Sequence, residues 1–317
     1  PQDAVQTPKG MVNFFNTIAG SKSSITWKEK WFWGKFQPYF SFEIVGDEGN
    51  VKFYIRSANK YKDLVEAALY SQYPEAQMIE VDDYIGQAPD DYPNEEYDCF
   101  GSEMMLKREN HFPIRTWDMF EHQGEKDQRF KDPWLTILDI LGKLMRAVHL
   151  WIQILCRQPD EQDWINKCKK YIEETFGKEE PVKKGAIEET LGWIPREIMG
   201  QVTGMAGADE EQTKQDNWTM FKITPEEKER IDAVNRKIAS LGWQSKVRIL
   251  YFAKKDVFRK GTIASMMKGM FHQYGHLGIQ KFGLHIPSTP KDDYFWMEWQ
   301  MPSKQRFLTK KYKNRAF

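Results

Sequence analysis

His272 and His276 are four residues apart, a spacing that on a helix can bring two imidazoles to one metal ion. The sequence between them lacks the glutamate of the H-E-x-x-H pattern, and Gly275 weakens the helix that would carry both side chains. His285 could supply a third ligand, although nothing in its spacing requires it. We therefore interpret the three histidines as surface or helix-end residues, and a metal-dependent hydrolase is kept as an alternative function.

The nearest approach to a phosphate-binding loop is the segment Gly20-Ser21-Lys22-Ser23. A Walker A loop needs a glycine where this sequence has Phe15, because its backbone N–H groups must cradle the phosphates. Cys99, Cys156 and Cys168 are scattered and match neither a zinc-ligand spacing nor a secreted disulfide framework. The sequence therefore contains no motif that predicts an enzyme, and it predicts no cofactor.

The charges of the chain balance, since 46 basic residues face 46 acidic ones, and this excludes a uniformly basic nucleic-acid-binding protein. The stretch 303–317 is nevertheless basic and contains no acid. It could contact nucleic-acid phosphates or anionic lipid, or be a solvated helix or linker. A nucleic-acid-binding protein is therefore a second alternative function. Its contact residues would be Lys304, Arg306, Lys310, Lys311, Lys313 and Arg315, with Tyr294, Phe295, Trp296 and Trp299 nearby for base stacking.

Residues 27–36 mix aromatic and basic side chains in the order WKEKWFWGKF. Trp and Lys partition together into the interface of a membrane, which is one interpretation of this segment. Packing of the aromatic rings against a neighbouring β-hairpin is the interpretation that we favour.

A stretch of acidic residues occupies positions 80–98, which hold eight Asp or Glu and no Lys or Arg. Pro89 and Pro93 interrupt regular structure there, so the stretch is predicted to be a loop. A solvated loop is the favoured interpretation, and a site for a cation or a basic partner is the alternative.

The hydrophobic periodicity predicts both strands and helices. Strands are expected at 39–45 and 51–56, joined as a hairpin, and at 77–81, 100–107, 149–156 and 246–252. Helices are expected at 8–19, 61–69, 160–176, 224–241 and 257–274, and a further helix is expected to begin at Asp132-Pro133.

This order of elements predicts an α+β fold built from ferredoxin-like strand–helix–strand subdomains. Two subdomains are expected, and the Gly- and Pro-rich stretch between them is predicted to be a mobile insertion. The predicted organisation is an N-terminal helix and Trp-rich lead (1–35), a first subdomain (36–176), the insertion (177–222), a second subdomain (223–300) and a basic tail (301–317).

Several segments resemble those of one family, and they occur in that family's order. They are KFQPYFSFEIV (35–45), VKFYIR (51–56), LVEAALYSQYPEAQMIEVDDY (64–84), FPIRTW (112–117), DPWLTILDIL (132–141), LWIQILCR (150–157), VRILYFA (247–253) and KKYKNRAF (310–317). Together they resemble the uncharacterised domain ahead of the ATPase in type IV secretion-like, conjugation-type proteins. Those proteins are similar to the TraC and HerA/FtsK translocation ATPases and occur mainly in uncultured small-genome bacteria.

The resemblance implies a non-catalytic assembly and docking domain for an oligomeric translocation ATPase. It implies a cytoplasmic location peripheral to the inner membrane, self-association, and an inner-membrane translocation complex as partner. The sequence departs from the family at Ala147-Val148-His149, where Gly-Glu is common, and over 177–222. The resemblance assigns no catalytic residues to this sequence. A chain that begins at Pro1, with neither the transmembrane helices nor the P-loop domain of such proteins, is expected to be a fragment.

Overall fold

The computed structural model describes residues 9–121, 133–159, 163–176, 224–290 and 299–317. It confirms the predicted α+β class. The helices of the described ranges are α1 (Lys9–Ile18), α2 (Trp27–Phe32), α3 (Lys62–Gln72), α4 (Asp118–Glu121), α5 (Trp134–Gly142), α6 (Asp163–Thr175), α7 (Pro225–Ile238), α8 (Lys260–His272) and α9 (Met301–Lys313). The strands are β1 (Tyr39–Asp47), β2 (Asn50–Arg56), β3 (Tyr97–Leu106), β4 (Val148–Arg157), β5 (Gln244–Lys254) and β6 (Phe282–Leu284).

The predicted hairpin is present, and its turn explains its register. Glu48 and Gly49 both have positive φ angles, 51° and 87°, as the two central residues of a type I′ turn require. Asp47 is consequently paired with Asn50, and the antiparallel register continues to Ser41 and Arg56. The two-residue loop therefore determines which side chains of β1 point to each face of the sheet.

One antiparallel sheet contains all six strands, in the order β2-β1-β4-β5-β3-β6. The predicted subdomains 36–176 and 223–300 do not form separate sheets, because β5 pairs with both β4 and β3. The interior of β5 is buried, and its backbone groups on both edges need hydrogen-bond partners. One compact unit comprises 1–160 and 241–317, whereas residues 161–240 form a second unit in which α6 and α7 pack together.

The first face of the sheet packs against α5 and α8. Ile44, Ile152 and Ile249 lie on this face, in a cluster with Leu141 of α5 and Met267 of α8. All five side chains are buried, so the alternation that the sequence shows in β1, β4 and β5 marks a real interior face.

The opposite face is covered by α9, which the sequence analysis treated as a basic tail. Trp151 and Leu250 pack there with Leu308 and Tyr312 of the helix. Gly101 permits this close approach, because a Cβ at that position would lie 2.8 Å from Leu308 Cδ2 and 2.2 Å from a backbone oxygen of β5. The predicted tail is therefore a helix with a buried side.

Other sequence predictions have different outcomes. The predicted strand at 77–81 is wrong, since these residues form neither helix nor strand and Ile79 and Val81 are exposed. Asp132, the predicted start of α5, and the predicted insertion 177–222 lie outside the described residues. The helix expected at 224–241 is present as α7, and it begins with a capping box in which Thr224 and Glu227 each accept the other's backbone N–H.

A single row of polar side chains crosses the α9 face of the sheet. Glu43, Gln153, Arg248 and Glu103 lie at one level of the register on β1, β4, β5 and β3. Gln153 Nε2 donates to Glu43 Oε1 at 3.1 Å, and Arg248 Nε donates to Glu103 Oε1 at 2.8 Å. Arg248 Nη1 also reaches Gln153 Oε1 at 3.3 Å. The row is a continuous chain of hydrogen bonds across four strands.

The end of α9 and the residues after it lie on this polar row. Arg315 donates to Glu43 through Nε at 2.7 Å and through Nη2 at 3.0 Å, so the pair is bidentate. The same guanidinium donates to Asp83 at 2.8 and 3.0 Å. Gln153 Nε2 donates to the backbone oxygen of Tyr312 at 3.1 Å. The C-terminal residues are thus fixed to the sheet by buried, charge-assisted hydrogen bonds.

The ion pair affects the acidity of both carboxyl groups. Burial alone would raise the pKa of Glu43, but the hydrogen bonds and the charge of Arg315 outweigh it and lower that pKa below its usual 4.5. The hydrogen bond from Arg315 is also the main cause of the lowered pKa of Asp83. Both groups are therefore carboxylates in the folded protein at neutral pH.

We expect Arg315→Met to lower the free energy of unfolding by about 3–5 kcal/mol, because it leaves the Glu43 carboxylate buried without its cation. Denaturation with urea, followed by circular dichroism, measures the change. Lys310→Met is the matched control: Lys310 lies on the same helix, is exposed, and should change stability by less than about 0.5 kcal/mol. Equal effects of the two substitutions would contradict a structural role for the ion pair.

We also expect stability to fall at acid pH. The folded pKa values of Glu43 and Asp83 lie below their unfolded values, so their contribution is complete above about pH 4.5 and is lost as the pH falls through the folded values. Urea denaturation between neutral pH and about pH 3 should show this decline, and Glu43→Gln should make it shallower. An unchanged pH profile in Glu43→Gln would show that other carboxyl groups dominate.

Candidate docking surface

The aromatic and basic segment forms a loop, residues 24–36, which we call the aromatic loop. Its short helix α2 begins with a capping box, in which Thr26 N donates to Glu29 Oε2 at 2.9 Å and Glu29 N donates to Thr26 Oγ1 at 3.4 Å. The helix ends at Phe32, and Gly34, just after the C-cap residue Trp33, has a φ of 60° that lets the chain turn back. Local sequence signals thus account for both ends of α2.

The base of the aromatic loop is closed by one buried side chain, that of Gln37. Its Oε1 accepts a hydrogen bond from Ser23 N at 3.0 Å, and its Nε2 donates to Ser23 O at 2.8 Å. Gln37 thereby joins the two ends of the loop as a backbone pair would. Next to this base, Phe14, Ile18 and Phe40 lie in a buried cluster.

The aromatic side chains of the loop are exposed. Trp27, Trp31, Phe32, Trp33 and Phe36 keep 61–77% of their surface accessible. The favoured sequence interpretation, packing against the hairpin, is therefore wrong for Trp27, Trp31, Phe32 and Trp33. The Trp27 ring lies near those of Trp31 and Phe32, with centroids 6.4 and 6.1 Å apart, whereas the Phe36 ring lies 6.2 Å from that of Tyr39 in β1. An exposed group of large aromatic residues of this kind typically marks an interaction surface.

The charge of the aromatic loop is positive, because it contains three lysines and one glutamate. Lys35 Nζ lies 2.7 Å from Glu29 Oε1. The hydrogen bond from Lys35, followed by those from Thr26, lowers the pKa of Glu29 to about 2. The only acid of the loop is thus held by its own cap and by Lys35, and the three lysines leave the loop with a net positive charge.

The basic run 303–317 is brought together with the acidic stretch 80–98, although the sequence analysis treated them as separate ligand candidates. Lys313 Nζ forms an ion pair with Asp90 Oδ1 at 2.5 Å, and Arg315 pairs with Asp83. Arg306 Nε donates to the backbone oxygen of Tyr92 at 2.5 Å. Three of the six basic residues of the run are therefore bound to the acidic stretch.

Three basic residues of the run remain. Lys311 lies 3.9 Å from Glu103 and over the ring of Phe307. Lys304 and Lys310 have no ion pair within the described part of the chain, and Lys310 is exposed. Trp299 is 86% exposed, whereas Tyr294, Phe295 and Trp296 lie outside the described residues. The basic surface that remains for a nucleic acid is therefore much smaller than one formed by all six basic residues.

The three candidate metal ligands have separate roles in the structure. His272 ends α8, His276 forms an isolated β-bridge with Gln280, and His285 Nδ1 lies 2.9 Å from Ser288 Oγ. Over the ranges that the structure describes, no three His, Cys, Asp or Glu side chains form a group suited to a metal ion. The three cysteines are all buried free thiols, and burial raises the pKa of Cys99 to about 12.

The sequence analysis missed two features. It did not identify the polar row, although Glu43, Gln153 and Arg248 each interrupt an apolar strand, and such an interruption indicates a buried polar partner. It also missed Gln37, because nothing local distinguishes a glutamine that closes a loop from one on the surface.

Comparison with known proteins gives one result. Residues 1–278 match the model of a family described as a domain of unknown function, DUF8128. No curated protein and no solved structure matches the chain. Within the described ranges, each helix falls short of what crossing a bilayer would require in length and apolar character.

We expect Gln37→Ala to open the base of the aromatic loop, because both backbone groups of Ser23 lose their partner. Amide hydrogen exchange of Ser23 should become about tenfold faster or more, since the loss corresponds to about 1–3 kcal/mol of local stability. Gln87→Ala, at an exposed glutamine, is the control and should leave this amide unchanged. Unaltered exchange at Ser23 in Gln37→Ala would mean that another interaction closes the loop.

Proposed function

We propose a function for this chain from its own surfaces, because it belongs to the DUF8128 family, which is described as a domain of unknown function. The chain is a non-catalytic assembly and docking domain, and the aromatic loop is its docking surface. One observation carries the proposal: five large aromatic side chains within ten residues are exposed on a loop whose base is fixed.

The placement of the buried charges supports a non-catalytic role. Perturbed pKa values often mark active sites, where the groups face a cleft. Here the carboxyl group with a lowered pKa, that of Glu43, is almost completely buried, and it accepts hydrogen bonds from Gln153 of β4 and from Arg315 of the C-terminal segment. Glu43 thus has a structural role, because it fixes that segment to the sheet.

The partner is proposed from the resemblance in the sequence. The resemblance is to domains ahead of type IV secretion-like and conjugative translocation ATPases, so the docking surface would hold such an ATPase against its inner-membrane complex. The location would be cytoplasmic and peripheral to that membrane. Self-association would use β2, the terminal strand of the sheet, whose outer edge pairs with no other strand of the described ranges and whose Phe53 is exposed.

Fractionation of bacterial cells that produce the chain tests the proposal. We expect the chain to sediment with membranes, and the triple variant Trp31→Ser, Phe32→Ser, Trp33→Ser to stay in the supernatant, because its docking surface is removed. Trp299→Ser, which removes an exposed tryptophan elsewhere, is the matched control and should sediment like the unaltered chain.

Sedimentation velocity of the purified chain gives the second measurement. Docking together with self-association predicts species larger than the monomer at micromolar concentration. A strictly monomeric chain that also remains in the supernatant of fractionated cells would overturn the proposed function.

A further inference from the structure

We propose that the aromatic loop inserts into the headgroup region of an anionic lipid bilayer. This inference rests on the proposed docking function and names the partner of that same surface. Three features of the loop carry it: the arrangement of its aromatic side chains, their chemical type, and the charge around them.

The arrangement of the aromatic side chains forms a tip. Trp31 and Phe32 are the last two residues of α2 and Trp33 is its C-cap, so three large aromatic residues follow one another at the end of the helix. A protein groove accepts one stripe of a helix, with anchors three or four residues apart. Trp27 and Trp31 have that spacing, but Trp33 is exposed beyond the helix and lies outside their stripe. A bilayer interface surrounds an inserted tip and contacts every side of it, so the set of three tryptophans is better suited to lipid than to a groove on a protein.

The chemical type of the side chains suits the same interface. Indole combines a large apolar ring with one N–H donor, and tryptophan is enriched where hydrocarbon meets headgroups. Three of the five aromatic residues in the loop are tryptophans, and all three are exposed. A dry protein interface would leave some of their N–H groups without partners, whereas headgroup oxygens and interfacial water accept from them.

The charge of the loop selects anionic lipid. The loop has a net positive charge, with three lysines and one glutamate, and Lys28 and Lys30 are exposed residues beside the tip whose apolar stems can lie along the interface. Glu29 does not oppose this attraction strongly, because it is paired with Lys35. A surface that suits such a loop is negatively charged on the outside and has an apolar layer directly beneath, as an anionic bilayer does.

Single-stranded nucleic acid also binds tryptophan and lysine, but it is bound differently. Proteins that bind it line a groove with cations that follow the phosphate backbone, and bases stack on aromatic rings along that groove. The aromatic loop is a protruding tip, so it offers no such track. The geometry therefore favours lipid as the partner, and the experiment below also tests whether the loop binds nucleic acid.

Co-sedimentation of the purified chain with protein-free vesicles tests the inference. One vesicle set is phosphatidylcholine alone, and the other contains about one third phosphatidylglycerol, an anionic lipid. We expect binding to the anionic set, with an affinity about hundredfold lower for the variant Trp31→Ser, Phe32→Ser, Trp33→Ser. The variant Lys28→Gln, Lys30→Gln should lose about tenfold. Trp299→Ser, at an exposed aromatic residue outside the loop, should bind like the unaltered chain.

Three results would overturn the inference. The first is absence of binding to anionic vesicles, and the second is binding that the loop variants leave unchanged. The third is displacement from the vesicles by oligothymidylate that itself binds the loop more tightly, which would assign the tip to nucleic acid. If the chain sediments with cell membranes through the loop but ignores protein-free vesicles, the docking function stands and its partner is a protein.

Discussion

The bidentate pair between Glu43 and Arg315 is the interaction on which the arrangement of this protein depends. Two charges removed from water cost several kcal/mol each, and their attraction offsets that cost only when geometry is good and further hydrogen bonds satisfy the remaining atoms. Those further bonds are present, because Gln153 and Tyr84 also donate to the Glu43 carboxylate. Holding Arg315 in place fixes the residues after α9, and α9 in turn covers one face of the sheet. A single buried pair thus connects the C-terminal segment to the central strands.

The polar row also determines register. Glu43 and Ile44 are neighbours on β1 and face opposite layers, so a shift of one residue would move a carboxylate into the apolar layer beneath α5 and α8. The cost of an unpaired buried charge makes that alternative far less stable. The same row accepts the C-terminal segment through Arg248, which donates to the backbone oxygen atoms of Lys311 and Ala316. Charge in this protein therefore serves two separate purposes. The buried charges specify one arrangement of the strands and α9. The charges of the aromatic loop lie on the surface, next to its exposed rings.

Particular elements show which parts of the structure could be predicted from the sequence. The hairpin, α1, α3 and α7 were predictable because their information is local: alternating or helical periodicity, a turn, or a capping box. The strand expected at 77–81 has apolar residues as well, but Ile79 and Val81 find no layer to pack against, and Met78 alone reaches a buried cluster. The position of the aromatic loop was misjudged for the opposite reason. Its rings have the composition of a packed cluster, yet the loop that Gln37 and Ser23 close leaves them in solvent.

By itself the sequence determined the α+β class, the order of most elements, the aromatic and basic character of residues 24–36 and the acidic and basic stretches. These follow from composition and from periodicities that span only a few residues. The tertiary structure alone decided that β5 joins β4 and β3 in one sheet, and that Lys313 and Arg315 pair with Asp90 and Asp83, more than 200 residues away. Such pairings depend on which distant groups become neighbours when water is excluded. No local pattern encodes that choice, because the energy of a buried charge depends on its partner rather than on its position in the chain.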